Sequence, residues 1–203
     1  MNKKIIIGVG VLIGVIAVLM ATGVFKFNVS MSPSNKEAEQ KKFVLPEGWV
    51  KYTSGELGYE VAYPNGWNLQ EGNNEGSREV LILDPGGMAF VRIAAFNDSS
   101  LNSIEAIEAS LADYKASYAN RPDEELKEFK TEINGNVGGF GASGFMLVND
   151  VSYQFLERGL LATNGRVLIV RGAVNNTETA MTPEEFNASV STVKQIMDSF
   201  FVN

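Results

Sequence analysis

An α+β fold, with one antiparallel β-sheet flanked by helices and preceded by a single transmembrane helix, is what this 203-residue sequence predicts. Three observations lead there. Apolar, strand-forming runs are separated by tight-turn dipeptides, which forces neighbouring strands to run antiparallel. Two other segments repeat apolar residues every three or four positions, the spacing of a helix face. Near the N-terminus, the 21 residues from Ile5 to Phe25 carry no charge.

That uncharged run, IIIGVGVLIGVIAVLMATGVF, matches the roughly 20 residues needed to cross a bilayer core. It is apolar on every side, so it does not read as a helix of a soluble core, which would keep a polar face. A cleaved export signal usually has only about 7 to 15 apolar residues, which favours an uncleaved anchor. Ala21-Thr22-Gly23 nevertheless offers a passable cleavage site, so a cleaved signal stays open. A type IV pilin is disfavoured because the expected glutamate just inside the mature hydrophobic helix is missing. Lys3 and Lys4 precede the run, while Lys26, Lys36, Lys41 and Lys42 follow it, so counting positive charge does not orient it. A short basic tail before an apolar run resembles an export signal, which places the following domain outside the cytoplasm.

The chain therefore divides into a basic tail (1–4), a transmembrane anchor or uncleaved signal (5–25), a flexible linker (26–46) and one α+β domain (47–203). The linker is rich in Ser, Asn, Lys, Glu and Gln and shows no hydrophobic period, as expected of a tether. Within the domain, residues 49–52 and 59–63 read as strands, the second stopped by Pro64-Asn65-Gly66-Trp67. Arg78 to Asp84 and Met88 to Phe96 flank Pro85-Gly86-Gly87 and form a hairpin candidate. Asn134-Gly135 separates 126–133 from 137–148, and Asn164-Gly165 separates 151–163 from 166–174. Asn-Gly supplies the positive φ angles that a two-residue turn demands. Ile104, Ile107, Leu111, Tyr114 and Tyr118 define one helix, closed by Pro122. Phe186, Val190, Val193, Met197 and Phe200 define another, opened by Thr182-Pro183-Glu184-Glu185 with Thr182 as cap and Glu185 completing a capping box.

Composition excludes several kinds of chemistry. The chain has no cysteine, which removes disulfides, thiolate metal sites and lipid attachment through a cysteine. It has no histidine either, so serine–histidine catalysis and histidine-ligated zinc are excluded. Setting aside Lys3, Lys4 and Lys26 leaves 14 basic against 24 acidic residues, a field that repels nucleic acid.

The remaining candidates have plain structural readings. Glu124, Glu125, Glu128 and Glu132 could in principle supply a glycosidase pair, but they read more simply as a solvated edge. Asp84 and Asn149-Asp150 lack the patterned loop of a calcium site and read as turn residues. Gly138, Gly139, Gly141 and Gly144 are not followed by the Lys-Ser or Lys-Thr of a phosphate-binding loop, and predict a bulged or bent strand. A Ser-Lys dyad has no Ser-x-x-Lys to rest on. Asn28, Asn97, Asn175 and Asn187 begin glycosylation sequons. No catalytic, cofactor-binding or metal-ligating residue is assigned.

Trp49-Val50-Lys51-Tyr52, then Leu57-Gly58-Tyr59-Glu60-Val61-Ala62-Tyr63-Pro64-Asn65-Gly66-Trp67, resembles the opening of PsbP-like domains, the family of the extrinsic photosystem II protein and its bacterial relatives. The closing Ile196-Met197-Asp198-Ser199-Phe200 is similar to that family's Ser-Phe ending. The resemblance spans about residues 47 to 203. It implies an α/β/α sandwich around an antiparallel sheet, a fold shared with a small nuclear-import factor that binds the GTPase Ran, and it implies binding or stabilising of other proteins rather than catalysis. The expected function is thus a membrane-anchored, extracytoplasmic, non-catalytic domain for a protein or cell-envelope partner. A carboxylate-dependent hydrolase and a structural subunit of a surface assembly are the alternatives.

Overall fold

The computed structural model describes residues 43–202, apart from 56–57, 75–76 and 178. The predicted membrane segment and all but the last residues of the linker lie outside them. Among the described residues, no helix is long and apolar enough to cross a membrane.

The elements in chain order are β1 (Trp49–Ser54), β2 (Tyr59–Pro64), β3 (Asn68–Asn74), β4 (Ser77–Leu83), β5 (Ala89–Asn97), α1 (Ile104–Ser117), a 3-10 turn (Tyr118–Asn120), β6 (Glu124–Asn134), β7 (Val137–Val148), β8 (Val151–Ala162), β9 (Arg166–Asn175), α2 (Pro183–Asp198) and β10 (Phe201–Val202). They build two sheets rather than the single one expected. The larger has the order β3-β4-β5-β9-β8-β7-β6, and a small one has the order β1-β2-β10. Every pairing is antiparallel.

The expected hairpins form, with Gly135 and Gly165 at φ 58° and 84°. No other residue suits Gly165, because a Cβ there would lie 2.8 Å from the carbonyl oxygen of Asp98. The β7–β8 turn reaches the same left-handed region without glycine, through Asn149 (φ 50°) and Asp150 (φ 63°), the residue types that tolerate it best.

Alternation along the strands divides the core into two layers. Val91, Ile93, Leu168, Val170 and Val174 face Val193, Ile196 and Met197 of α2 and Tyr59 and Val61 of β2. On the other face, Phe140, Ala142, Phe155, Leu161 and Ala173 lie against Ile107 and Leu111 of α1 and Tyr118. This is the α/β/α sandwich implied by the resemblance. Its helices are offset, for α1 packs on β7 whereas α2 packs on β5, β9 and β2.

Glycines make the close approaches. A Cβ on Gly138 would come within 2.2 Å of Ile107, and one on Gly172 within 2.3 Å of Val193. The glycines of β7 therefore seat a helix rather than bend their strand. Its register with β8 runs unbroken from Val137↔Ala162 to Val148↔Val151, and the irregularity lies in β6 between Leu126 and Glu128. The bulge expected in β7 thus sits on its neighbour. Gly144 shows why, because a Cβ there would lie 2.0 Å from the Glu125 carbonyl oxygen.

At the C-terminus of α2, Ser199 is buried and accepts from the Ala62 amide (2.8 Å) while donating to the Ile196 carbonyl (2.7 Å). That bond pins the small sheet to the helix end and gives the Ser-Phe ending a physical role. At the other end, Thr182 and Glu185 form the predicted capping box, with Thr182 N–H donating to Glu185 Oε2 at 2.8 Å.

Candidate functional site

The most constrained polar group in the domain is Glu157 on β8, 1% exposed. Phe155, Glu157 and Leu161 alternate inward on the α1 face, so the strand's own period carries a carboxylate into an apolar layer. Burying a carboxylate is tolerated when its lone pairs are filled. Oε1 accepts from the Tyr114 hydroxyl of α1 (2.6 Å) and the Tyr118 hydroxyl of the 3-10 turn (2.9 Å). Oε2 takes the Arg171 Nε–H, the residues standing opposite each other in the β8–β9 register. Arg171 then turns its remaining nitrogens to Glu124 on β6, at 2.6 and 3.3 Å. Arg121 completes the set, 3.2 Å from Glu124 and with its guanidinium carbon 4.2 Å from the centre of the Tyr118 ring.

The ionisation equilibria follow this geometry. Burial and the neighbouring Glu157 charge push Tyr114 up to about 12, and the same causes raise Tyr118 further. Burial alone would raise Glu124, but Arg171 and Arg121 outweigh it and hold its carboxyl below the ordinary range. Burial would lower Arg171, yet Glu157 and Glu124 keep it firmly protonated. All four carboxylate oxygens of Glu157 and Glu124 are bonded within the domain. The network ties α1, the 3-10 turn, β6, β8 and β9 into one block.

Glu124, expected on a solvated edge, belongs to this network, and that expectation is corrected. Its register partner is Met146 on the α1 face, whereas Glu125 and Glu128 pair with Phe145 and Ser143 and face the other way. The four glutamates thus do not converge. Glu125 pairs with Lys127, and Glu128 lies 2.5 Å from Lys130. Asp84 uses Oδ2 to accept the Met88 amide (3.1 Å) and so stabilises the β4–β5 turn. Among the described residues, no three acidic side chains are placed to hold a metal ion. Of the sequon asparagines, Asn97 and Asn187 are exposed, Asn175 is buried with its side chain accepting the Thr177 amide (2.9 Å), and Asn28 lies outside the described residues.

A cleft of about 210 Å³ opens between the small sheet and β3–β4, lined by Tyr52, Tyr59, Glu71 and Arg78 among others. Burial, and then Glu71, raises the Tyr52 hydroxyl. Ligand pockets usually enclose about 300 to 1,000 Å³, so this cleft suits a side chain or a few waters better than a substrate.

More of the accessible surface is apolar at the β7–β8 tip. Leu147 is 50% and Val148 40% exposed, on either side of the strand and next to the left-handed Asn149-Asp150 turn. The sequence marks Asn149-Asp150 as turn residues, but nothing in it shows that Leu147 and Val148 beside them stay exposed.

The sheet order, the two offset helices and the small sheet together define a PsbP-like fold. Among solved structures, the cyanobacterial PsbP (CyanoP) of Synechocystis sp. PCC 6803 is similar at 16% identity, over 77% of this chain and 93% of that one, with a TM-score of 0.53. The Ran-binding protein Mog1p of Saccharomyces cerevisiae is similar at 11% identity over 76% and 95% of the two chains, with a TM-score of 0.43. PA94 of Pseudomonas aeruginosa, described as a putative regulator, has 12% identity over 76% and 96%, with a TM-score of 0.44. No protein-family model matches the chain, and no curated protein sequence does. At such identities the likeness is one of fold.

Proposed function

We propose that this chain is a membrane-anchored domain, held outside the cytoplasm, that binds or stabilises a protein partner without catalysing a reaction. The observation that carries the reading is the β7–β8 tip. Leu147 and Val148 are exposed side by side at one turn, and among the described residues Val44, Leu45 and Ile133 are the other large apolar side chains left exposed. The turn beside them places Asn149 and Asp150 in the left-handed region, which these two residue types tolerate well. Against a hydrolase stands the state of its carboxylates: Glu157 is saturated, Glu124 faces away from Glu125, Glu128 and Glu132, and Glu125 and Glu128 are paired with Lys127 and Lys130.

The test is a pull-down of the full-length chain from solubilised membranes, beside a control carrying residues 1–46 alone. The reading expects a protein enriched over the control, and lost when Leu147 and Val148 are both changed to Asp in a variant with an unchanged unfolding midpoint. Absence of any enriched protein contradicts it. Ordered self-association of the full chain on sizing would favour the surface-assembly alternative. Recovery of the intact chain in the supernatant after high-speed centrifugation of lysed cells would contradict the anchor.

A further inference from the structure

We propose that the β7–β8 tip is a finger that enters a concave apolar pocket of a partner protein, and that basic residues of that pocket meet Asp123 and Asp150. The inference rests on the reading above that the domain binds protein through this tip, and it names the shape and charge of what the tip meets.

The strand register gives the shape. β6 begins at Glu124, opposite Met146, and β9 ends at Asn175, opposite Tyr153, so neither neighbouring strand runs alongside the end of the hairpin. Among the described residues, the last backbone ties to those neighbours are the Leu147 N–H to the Asp123 carbonyl (2.8 Å) and the Asn176 N–H to the Ser152 carbonyl (3.0 Å). Val148, Asn149, Asp150 and Val151 therefore lie past both neighbours. At the rise of an antiparallel strand, the turn stands about 7 Å beyond those ties.

Alternation along the strand gives the kind of surface that fits. Leu147 faces one side of the hairpin, while Val148 faces the other, beside its register partner Val151. Leu147 and Val148 are exposed, and Val151 is half-buried. A flat surface, whether of lipid or of protein, covers one side of such a hairpin and leaves the other apolar side chain in water. Only a concavity takes both sides out of water, and removal of apolar area from water is what drives association.

Charge gives the rest. Asp150 sits in the turn itself, and Asp123 is held beside Leu147 by the bond described above. Both are exposed, and among the described residues neither forms an ion pair. A neutral or acidic pocket would strand these carboxylates at the edge of the apolar contact, whereas Lys or Arg in its rim would pair them and speed encounter. The same carboxylates disfavour a second copy of this chain, whose tip carries them too and whose net charge is also −7.

The chain has no cysteine, so Ser152→Cys, on the Leu147 side of the finger, carries a thiol-linked photo-crosslinker at one position of the full-length chain in its own membranes. Gln70→Cys, on exposed β3, serves as control. The expected adduct joins Ser152→Cys, and not the control, to another protein. Its yield should fall at least about tenfold with Leu147→Ser alone and equally with Val148→Ser alone, because both sides must be buried. Asp123→Asn combined with Asp150→Asn, which keeps a residue type suited to the left-handed turn, should lower it about threefold or more and flatten its decline with added salt. All four side chains are exposed, so each variant is compared at an unchanged unfolding midpoint. Loss with one apolar variant and full yield with the other would mean a flat contact and overturn the proposal. An adduct on a second copy or on lipid, or a yield indifferent to salt and to both Asn changes, would overturn it as well. If any of these patterns appears while the pull-down above still enriches a protein, the binding reading stands and the pocket fails. No adduct, together with an empty pull-down, removes both.

Discussion

Two faces of one strand, β7, treat polarity in opposite ways. Toward α1, its even-numbered residues join a closed layer in which Glu157, one strand away, has both oxygens engaged by Tyr114, Tyr118 and Arg171. On the opposite face its odd-numbered Gly139, Gly141 and Ser143 are buried as well, yet among the described residues the Ser143 hydroxyl and one oxygen of Glu128 lack partners. Both carboxylates sit on long antiparallel strands with an arginine or lysine beside them. What differs is the helix: α1 and the 3-10 turn after it each bring a tyrosine to their face, whereas α2 is seated on β5, β9 and β2. Among the described residues, the polar network is completed on the α1 side and left incomplete on the other.

Breaking the closed side should give the largest effect. Arg171→Met leaves Glu157 buried without its cation and is expected to lower unfolding free energy by about 3 to 5 kcal/mol in urea titrations. Adding Glu157→Leu should recover much of that loss, since neither charge then remains stranded. A single variant within 1 kcal/mol of wild type would mean that the network is ornamental, a threshold well below the usual cost of breaking a buried pair.

Changing pH probes the same network more gently. Tyr114 titrates at about 12 in the fold against 10.0 in the unfolded chain, so it stabilises fully below pH 10 and loses that contribution as pH rises to about 12. Glu124 is shifted the other way. Its contribution is present above its unfolded value of 4.5 and is lost as pH falls below that. Tyr114→Phe should cost roughly 1 to 2 kcal/mol at neutral pH and flatten the alkaline slope, with Tyr118 sustaining what remains. An alkaline limb unchanged in that variant would assign the slope to other groups.

On the open side the sign reverses. Ser143→Ala removes a buried hydroxyl that has no partner, so thermal unfolding should show no loss, or a gain of up to about 1 kcal/mol. A clear destabilisation would show that the hydroxyl is bonded within the domain.

Much of the fold was legible because local chemistry and tertiary packing agree. Asn134-Gly135 and Asn164-Gly165 turn where they must, and Thr182 caps α2 with Glu185. β3 escaped because its sequence, Asn-Leu-Gln-Glu-Gly-Asn-Asn, has no strand-forming residue beyond Leu69; pairing along β4 makes it a strand. The closed network left one readable trace, a glutamate at an inward position between Phe155 and Leu161. Its partners Tyr114, Tyr118 and Arg171 stand 43, 39 and 14 residues away, and only the fold brings them together.

The two adjacent glycines of β7 therefore give the most direct test of this division. Equilibrium urea unfolding of Gly138→Ala and Gly139→Ala, each in the full-length chain, compares a Cβ aimed at Ile107 from 2.2 Å with one in ordinary contact, 3.7 Å from the Leu160 side chain and the Gly159 carbonyl oxygen. The overlap at one site and the ordinary contact at the other predict a loss of about 1 to 3 kcal/mol for Gly138→Ala and a change within about 0.5 kcal/mol, or a small gain, for Gly139→Ala. Equal losses, or the larger loss at Gly139, would contradict it.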